Sequence, residues 1–231
     1  MRMKHFVVAI VSIGLLFGVC SAADKLELKD QKDKESYSLG YQFGTSLKMQ
    51  GVDINLDVYA SAIHDALGGK EPRMSSEEMQ STLMGFRQRM ADAQQKTLKE
   101  QGEKNLAEGK VFLTENGKKK EVKTLPSGLQ YKVLSEGAGK TPKKSDTVTV
   151  HYRGTLINGT EFDSSIARGQ PSTFKVDGVI PGWTEALQLM KEGAKWQLFI
   201  PPELAYGERG MPPRIPPQST LLFEVELLAI K

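Results

Sequence analysis

The residues able to do chemistry cluster late in the chain. Val148-Thr149-Val150-His151-Tyr152-Arg153-Gly154 is followed by Phe162-Asp163-Ser164-Ser165, then by Val179-Ile180-Pro181-Gly182-Trp183, Leu204-Ala205-Tyr206-Gly207 and Ile215-Pro216-Pro217. Together they supply aromatic rings, one phenol on a Tyr-Gly step and one carboxylate on a Phe-Asp step. Nucleophilic catalysis is not in the pattern, because Ser164 and Ser165 sit by Asp163 with no histidine placed in the sequence to activate them. Nor is a metal centre. His5, His64 and His151 are scattered, and His151 alternates to the strand face opposite Val150 and Tyr152. Such a set can enclose an apolar residue and the amide beside it, away from water.

Positioning these residues requires strands. From Val122 onward the hydrophobic period is two: Leu129-Tyr131-Val133, Val148-Val150-Tyr152 and Leu221-Phe223-Val225-Leu227 alternate as half-buried antiparallel strands do. Asn158-Gly159 is a hairpin signal. Ala186, Leu187 and Met190 give one short amphipathic helix after Trp183. Several strands and one helix predict a compact α+β domain over residues 117–231. The triplet Lys118-Lys119-Lys120 reads as a solvated connector.

Upstream the period is helical. Tyr37, Gly40, Tyr41, Gly44 and Leu47 share one face, and two glycines there permit close backbone approach to another helix. Leu56, Tyr59, Ala60, Ile63 and Leu67 form a second short helix, with Asn55 as N-cap and Gly68-Gly69 as the stop. Elements this short need a partner, so residues 24–74 read as an all-α dimerisation domain. Ser75 and Glu78 form a capping box ahead of the stripe Met79, Leu83, Phe86, Met90 and Ala93, which reads as core packing. The sequence then turns polar. A single helix over 75–116 would span roughly 60 Å at about 1.5 Å per residue and act as a spacer, apolar only where it meets the first region. A break near Gly102 is the alternative.

Residues 1–23 are set apart. Arg2 and Lys4 precede the apolar run Phe6 to Val19, and Ser21-Ala22-Ala23 offers small residues for cleavage: a secretory signal peptide rather than a membrane anchor. Bulky Val19 and Phe17 fit a lipid-attachment site at Cys20 poorly, so cleavage near Ala22 or Ala23 is expected over lipidation. Cys20 is the single cysteine, so the mature chain would carry no disulfide framework. Without Arg2 and Lys4 the 31 basic residues become 29 against 28 acidic ones. That near balance calls for neither nucleic acid nor an anionic membrane.

From Leu125 to Lys231 the motifs, through the closing Leu221-Leu222-Phe223-Glu224-Val225-Glu226-Leu227-Leu228, resemble the FKBP-type peptidyl-prolyl cis/trans isomerases. Lys34 to Leu113 resembles the N-terminal domain of the secreted bacterial Mip and FkpA group. The resemblance implies a curved antiparallel sheet around one short helix, a dimer held by the N-terminal helices, a periplasmic location and no cofactor or metal. It implies a substrate pocket of Tyr152, Phe162, Asp163, Arg168, Phe174, Val179, Ile180, Trp183, Tyr206, Ile215 and Phe223, with Asp163 and Tyr206 as the catalytic pair. Trp183 would be the floor; Phe162, Tyr152 and Phe223 the walls; the Ile180 N–H and the Tyr206 hydroxyl donors to substrate carbonyls; Arg168 the partner of Asp163. Asp163 would either act on the carbonyl or hold its neighbours. Ser172 and the loop Met211-Pro212-Pro213-Arg214 depart from the single-domain members at the rim.

The resemblance also implies partners: proline-containing unfolded chains, and macrolide inhibitors of the FKBP kind. An amide before proline rotates over a barrier of about 18–20 kcal/mol, although its two isomers differ by only ~0.5–1 kcal/mol. The twisted amide is less polar than the planar one, so an apolar cleft disfavours the ground state relative to it. The competing expectation is a periplasmic holdase that grips unfolded chains with little catalysis.

Overall fold

A computed structural model describes residues 27–231. The expected signal peptide, Cys20 and His5 lie outside the described residues. The chain divides into two compact units that part between Arg73 and Met74.

The first unit holds α1 (Gln31–Met49) and α2 (Leu56–Leu67). Asp30 caps α1 by accepting from the Asp33 N–H at 2.8 Å. Asn55 caps α2 by accepting from the Asp57 and Val58 N–H groups, both at 3.1 Å. Phe43 stacks on Tyr59 with ring centroids 5.2 Å apart. Neither helix contains a buried residue, and a Cβ placed on Gly40 or Gly44 would meet nothing within 4 Å.

The second unit opens with α3 (Ser76–Asn116), one unbroken helix that runs straight through Gly102. Ser75 and Glu78 make the expected capping box, at 3.1 and 2.9 Å. The second half of α3 corrects the expectation of a free spacer. Gly102, Asn105, Leu106, Gly109, Phe112, Leu113 and Asn116 form a continuous stripe removed from solvent, buried at Gly102, Gly109 and Asn116. It packs on the sheet that follows: Asn116 Nδ2 donates to Gln130 Oε1 at 3.0 Å, Gln130 Nε2 donates to the Leu113 carbonyl at 2.8 Å, and Phe112 meets Phe199 at 6.0 Å.

The strands are β1 (Val122–Thr124), β2 (Gln130–Ser135), β3 (Thr147–Leu156), β4 (Glu161–Ser164), β5 (Ser172–Lys175), β6 (Lys195–Ile200) and β7 (Leu221–Ile230). All pair antiparallel in the order β1-β2-β6-β7-β3-β4, with β5 alongside the first half of β3. β3 and β7 are matched along nearly their full lengths, from Val148↔Ile230 to Leu156↔Leu221, with one bulge at Thr149/Val150. Their inner positions Val148, Val150, Val225 and Leu227 have no exposed surface. They close over the short helix α4 (Pro181–Leu187), whose Trp183, Ala186 and Leu187 share their core with Met190. Tyr152 and Phe223 stand on this central pair, and the strands that carry Phe162 and Phe174 both pair with β3.

Candidate active site

The floor comes first. Pro181 at the first position of α4 pre-sets the helical φ and needs no N–H partner. The Ile180 carbonyl caps that turn by accepting from the Trp183 and Thr184 N–H groups at 2.9 and 3.1 Å. Gly182 presses the helix onto β6: a Cβ there would lie 2.6 Å from Ile200 Cγ2. That close approach sinks Trp183 until it is 4 % exposed. Its indole N–H has no partner among the described residues.

Three rings stand on this floor edge to face. Tyr152 from β3, Phe174 from β5 and Phe223 from β7 meet Trp183 at centroid distances of 5.3, 5.9 and 5.2 Å and interplanar angles of 87, 86 and 80°. Phe162 from β4 meets Phe223 in the same way, at 5.5 Å and 85°. Edge-to-face pairs are favoured by the ring quadrupole, so the rings support one another's orientation. Gly154 makes the last pair possible. A Cβ there would come within 2.7 Å of both the Phe162 and Phe223 rings.

At the edge, Tyr152, Asp163 and Arg168 close a triangle. The Tyr152 hydroxyl donates to Asp163 Oδ2 at 2.5 Å, Arg168 donates to the Tyr152 hydroxyl at 2.8 Å, and Arg168 is ion-paired with Asp163 Oδ1. Arg168 also donates to Ser172 Oγ at 3.2 Å, which gives the non-aromatic residue at this rim position a polar task. Burial raises the Asp163 carboxyl, but the Tyr152 hydroxyl and the Arg168 guanidinium outweigh it and hold the group below the ordinary carboxylate range. Burial, then the hydrogen bond to Asp163, pushes the Tyr152 phenol up. Tyr206 is raised too, first by burial and then by the Asp163 charge. The cleft therefore carries one fixed, neutralised carboxylate and two phenols that keep their protons.

The cleft is about 400 Å³. It brings together Tyr152, Phe162, Asp163, Phe174, Val179, Ile180, Trp183, Tyr206 and Phe223. Two expected residues stand elsewhere. Arg168 lies outside the lining and reaches the cleft through Tyr152 and Asp163. Ile215 is 1 % exposed in the core, and its backbone pairs with Met211 at 2.8 and 3.0 Å. Gly178 and Met211 line the cleft without having been singled out as pocket residues. Met211 had a signal, its place in the rim loop; Gly178 had none, because it offers only backbone.

Comparison with known proteins agrees with this geometry. Residues 138–228 match the family described as FKBP-type peptidyl-prolyl cis-trans isomerase, and residues 32–133 match the domain amino-terminal to it. The peptidyl-prolyl cis-trans isomerase Mip of Coxiella burnetii is 44 % identical over 229 residues, covering 99 % of both chains. The outer membrane protein MIP of Legionella longbeachae is 43 % identical, over all of this chain and 99 % of its own. The crystal structure of FkpA from Escherichia coli is similar with a TM-score of 0.72 at 44 % identity, over 89 % of this chain and 99 % of that one. With both family domains matched along it and relatives above 40 % identical over nearly its whole length, the chain belongs to the FKBP-type peptidyl-prolyl cis-trans isomerases of the Mip and FkpA type.

Proposed function

We propose that this isomerase speeds the folding of exported proteins in the bacterial periplasm as a homodimer, and that its cleft works by desolvating the Xaa-Pro amide. The observation that carries the mechanism is the box itself: an indole floor, three rings at 80–87° to it and a single carboxylate already neutralised by neighbours. A proline ring laid on Trp183 puts its amide among rings that exclude water, and the planar, more polar ground state loses more than the twisted state. The Ile180 N–H and the Tyr206 hydroxyl, both on the lining, donate to substrate carbonyls and hold the twist. Both oxygens of Asp163 are already engaged, so it acts by fixing Tyr152 and Arg168 rather than by attacking the carbonyl carbon. Ile215 supports the rim from the core.

Turnover of a tetrapeptide with one Xaa-Pro bond, followed by NMR exchange, tests the reading. An uncatalysed rate in folded protein would overturn it. A macrolide of the FKBP kind is expected to compete by occupying the same floor.

A chaperone role is favoured by a separate observation: apolar side chains lie open on the first unit, with Leu39 at 69 %, Tyr41 at 68 % and Leu67 at 86 % exposure. A second copy would cover part of that surface, and two clefts in one assembly would hold an unfolded chain by effective concentration. A holdase with little catalysis is the alternative, and the same peptide turnover separates it. For location, the described residues include no helix long and apolar enough to cross a membrane. Cleavage near Ala22 or Ala23 gives a soluble periplasmic product; a lipid on Cys20 would tether it. The mass of the mature N-terminus decides.

A further inference from the structure

The residue facing the substrate from the least regular part of the domain is Tyr206. It lies between two single 3-10 turns, Pro202–Leu204 and Gly207–Arg209, not on a strand or a full helix. Its place must be set by what those turns touch. Gly207, the next residue, accepts at its carbonyl from the Gln218 N–H at 2.8 Å. Gln218 holds a left-handed backbone, with φ of 55°, and is the sole non-glycine residue to do so among the described residues. Such a conformation persists only where surrounding contacts impose it.

Those contacts come from α3. Asn105 Nδ2 donates to the Pro217 carbonyl at 2.7 Å, across 112 positions of sequence. One turn earlier, Gly102 lets the same segment approach: a Cβ there would lie 3.3 Å from Pro217 Cβ and 3.4 Å from Gln218 Cγ. One turn later, a Cβ on Gly109 would overlap Thr220 Oγ1. Glycine, asparagine and glycine on one stripe of the long helix thus grip 217–220, and that segment holds the turn after Tyr206. Beside the grip a groove of about 600 Å³ separates Leu98, Gly102 and Leu106 from Glu208 and Arg209, so the turn has room to drift once the grip is lost.

We propose that Asn105 is a positioning residue for Tyr206, and that the second half of α3 is a brace that sets one wall of the isomerase cleft. The inference rests on the reading of Tyr206 as substrate-facing. A chain that kept the domain but lost this stripe would keep its floor and its Tyr152–Asp163–Arg168 triangle, yet present Tyr206 loosely.

The test uses the full-length protein and the tetrapeptide substrate. Asn105→Asp keeps the shape and replaces the donor with a carboxylate facing a carbonyl. It should lower kcat/KM about three- to ten-fold, since small displacements of a positioned group are costly. In a Tyr206→Ala background the same change should cost less than about two-fold, because residues that act through one another are not additive. Gly109→Ala should reproduce the loss, and adding Thr220→Ala, which removes the obstructing hydroxyl, should restore the rate. Amide resonances of Tyr206, Gly207 and Gln218 should move in the Asn105 variant while those of Phe162 and Asp163 stay in place. Equal losses in both backgrounds would make Asn105 merely structural and overturn the proposal, as would an unchanged rate in Asn105→Asp. Full turnover in Tyr206→Ala alone would sink the site reading, and this inference with it.

Discussion

Trp183 and Tyr206 contribute to the cleft in different currencies, and single substitutions separate them. Trp183→Ala removes a ring that three others lean on, a change worth about 3–5 kcal/mol in a closed core and less at an open cleft. Tyr206→Phe removes one hydroxyl and no volume, so kcat/KM should fall by only about 0.5–1.5 kcal/mol, the net value of a hydrogen bond. The desolvation mechanism fails if Tyr206→Phe abolishes turnover in a folded protein while Trp183→Ala leaves it intact. If Asp163 works through the triangle as proposed, Asp163→Asn and Arg168→Ala should cost similar amounts singly and little more together; fully additive losses would return the carboxylate to a direct role. The same triangle sets the pH response. Asp163 is depressed below its ordinary value of 3.8, while Tyr152 and Tyr206 lie above 10.0. Its ionised form therefore stabilises the fold fully above the unfolded value, and that share is lost only as pH falls through the lower folded value. Turnover should be nearly flat from about pH 6 to 8, and a bell-shaped profile there would show a titrating group at work. At this scale period and turn chemistry place only Tyr152 and Phe223, on alternating strands, and Trp183, at a Pro-Gly helix start. Phe162, Phe174 and Tyr206 enter through the family resemblance, because their short strands and 3-10 turns carry no period. The part played by Gly154 is legible by neither route, because its contribution is the absence of a Cβ between Phe162 and Phe223.

At the scale of elements the chain shows where reading by hydrophobic period stops. β3, β7 and α4 announce themselves because Val148, Val150, Tyr152, Phe223, Val225 and Trp183 are both apolar and buried. The second half of α3 also packs on the domain, yet its buried positions are Gly102, Gly109 and Asn116, residues that carry no hydrophobic signal. Small residues let backbones approach, and an asparagine joins through its amide; between them only Leu106, Phe112 and Leu113 look like a core face. A seven-residue spacing of small or amide residues was the legible clue. This docking also moves the boundary at which the isomerase can be cut free. A fragment beginning near residue 97 keeps the stripe and should unfold cooperatively at the temperature of the second transition of the whole chain. One beginning near residue 118 loses Asn105, Phe112 and Asn116 and leaves Gln130 without the amide and carbonyl it now meets, so it should melt several degrees lower, at about 4 °C per kcal/mol for a domain of this size. Coincident melting curves for the two fragments would show that the packing of α3 contributes nothing to the sheet.

The whole molecule pairs a finished domain with an unfinished one. The sheet domain buries a continuous core, whereas α1 and α2 bury no residue at all, and helices of 19 and 12 residues are marginal in water without tertiary packing. Gly40 and Gly44 share a face with Tyr37 and Tyr41, and the space above both glycines is open. A second copy pressing its helices onto that face accounts for the glycines and the exposed rings together. Light scattering of the mature protein should then give twice the mass of a single copy. Gly44→Leu, which fills the approach, should halve that mass. Tetrapeptide turnover per chain should stay unchanged in the variant, because a short peptide needs one cleft only. Refolding of a long client with several prolines should slow, since release from one cleft is no longer followed by rebinding at a tethered second one. If the wild-type chain scatters as a single copy, the dimer is wrong and the exposed helices must serve another partner. If Gly44→Leu halves the mass but refolds the long client as fast as before, the second cleft adds nothing to the first.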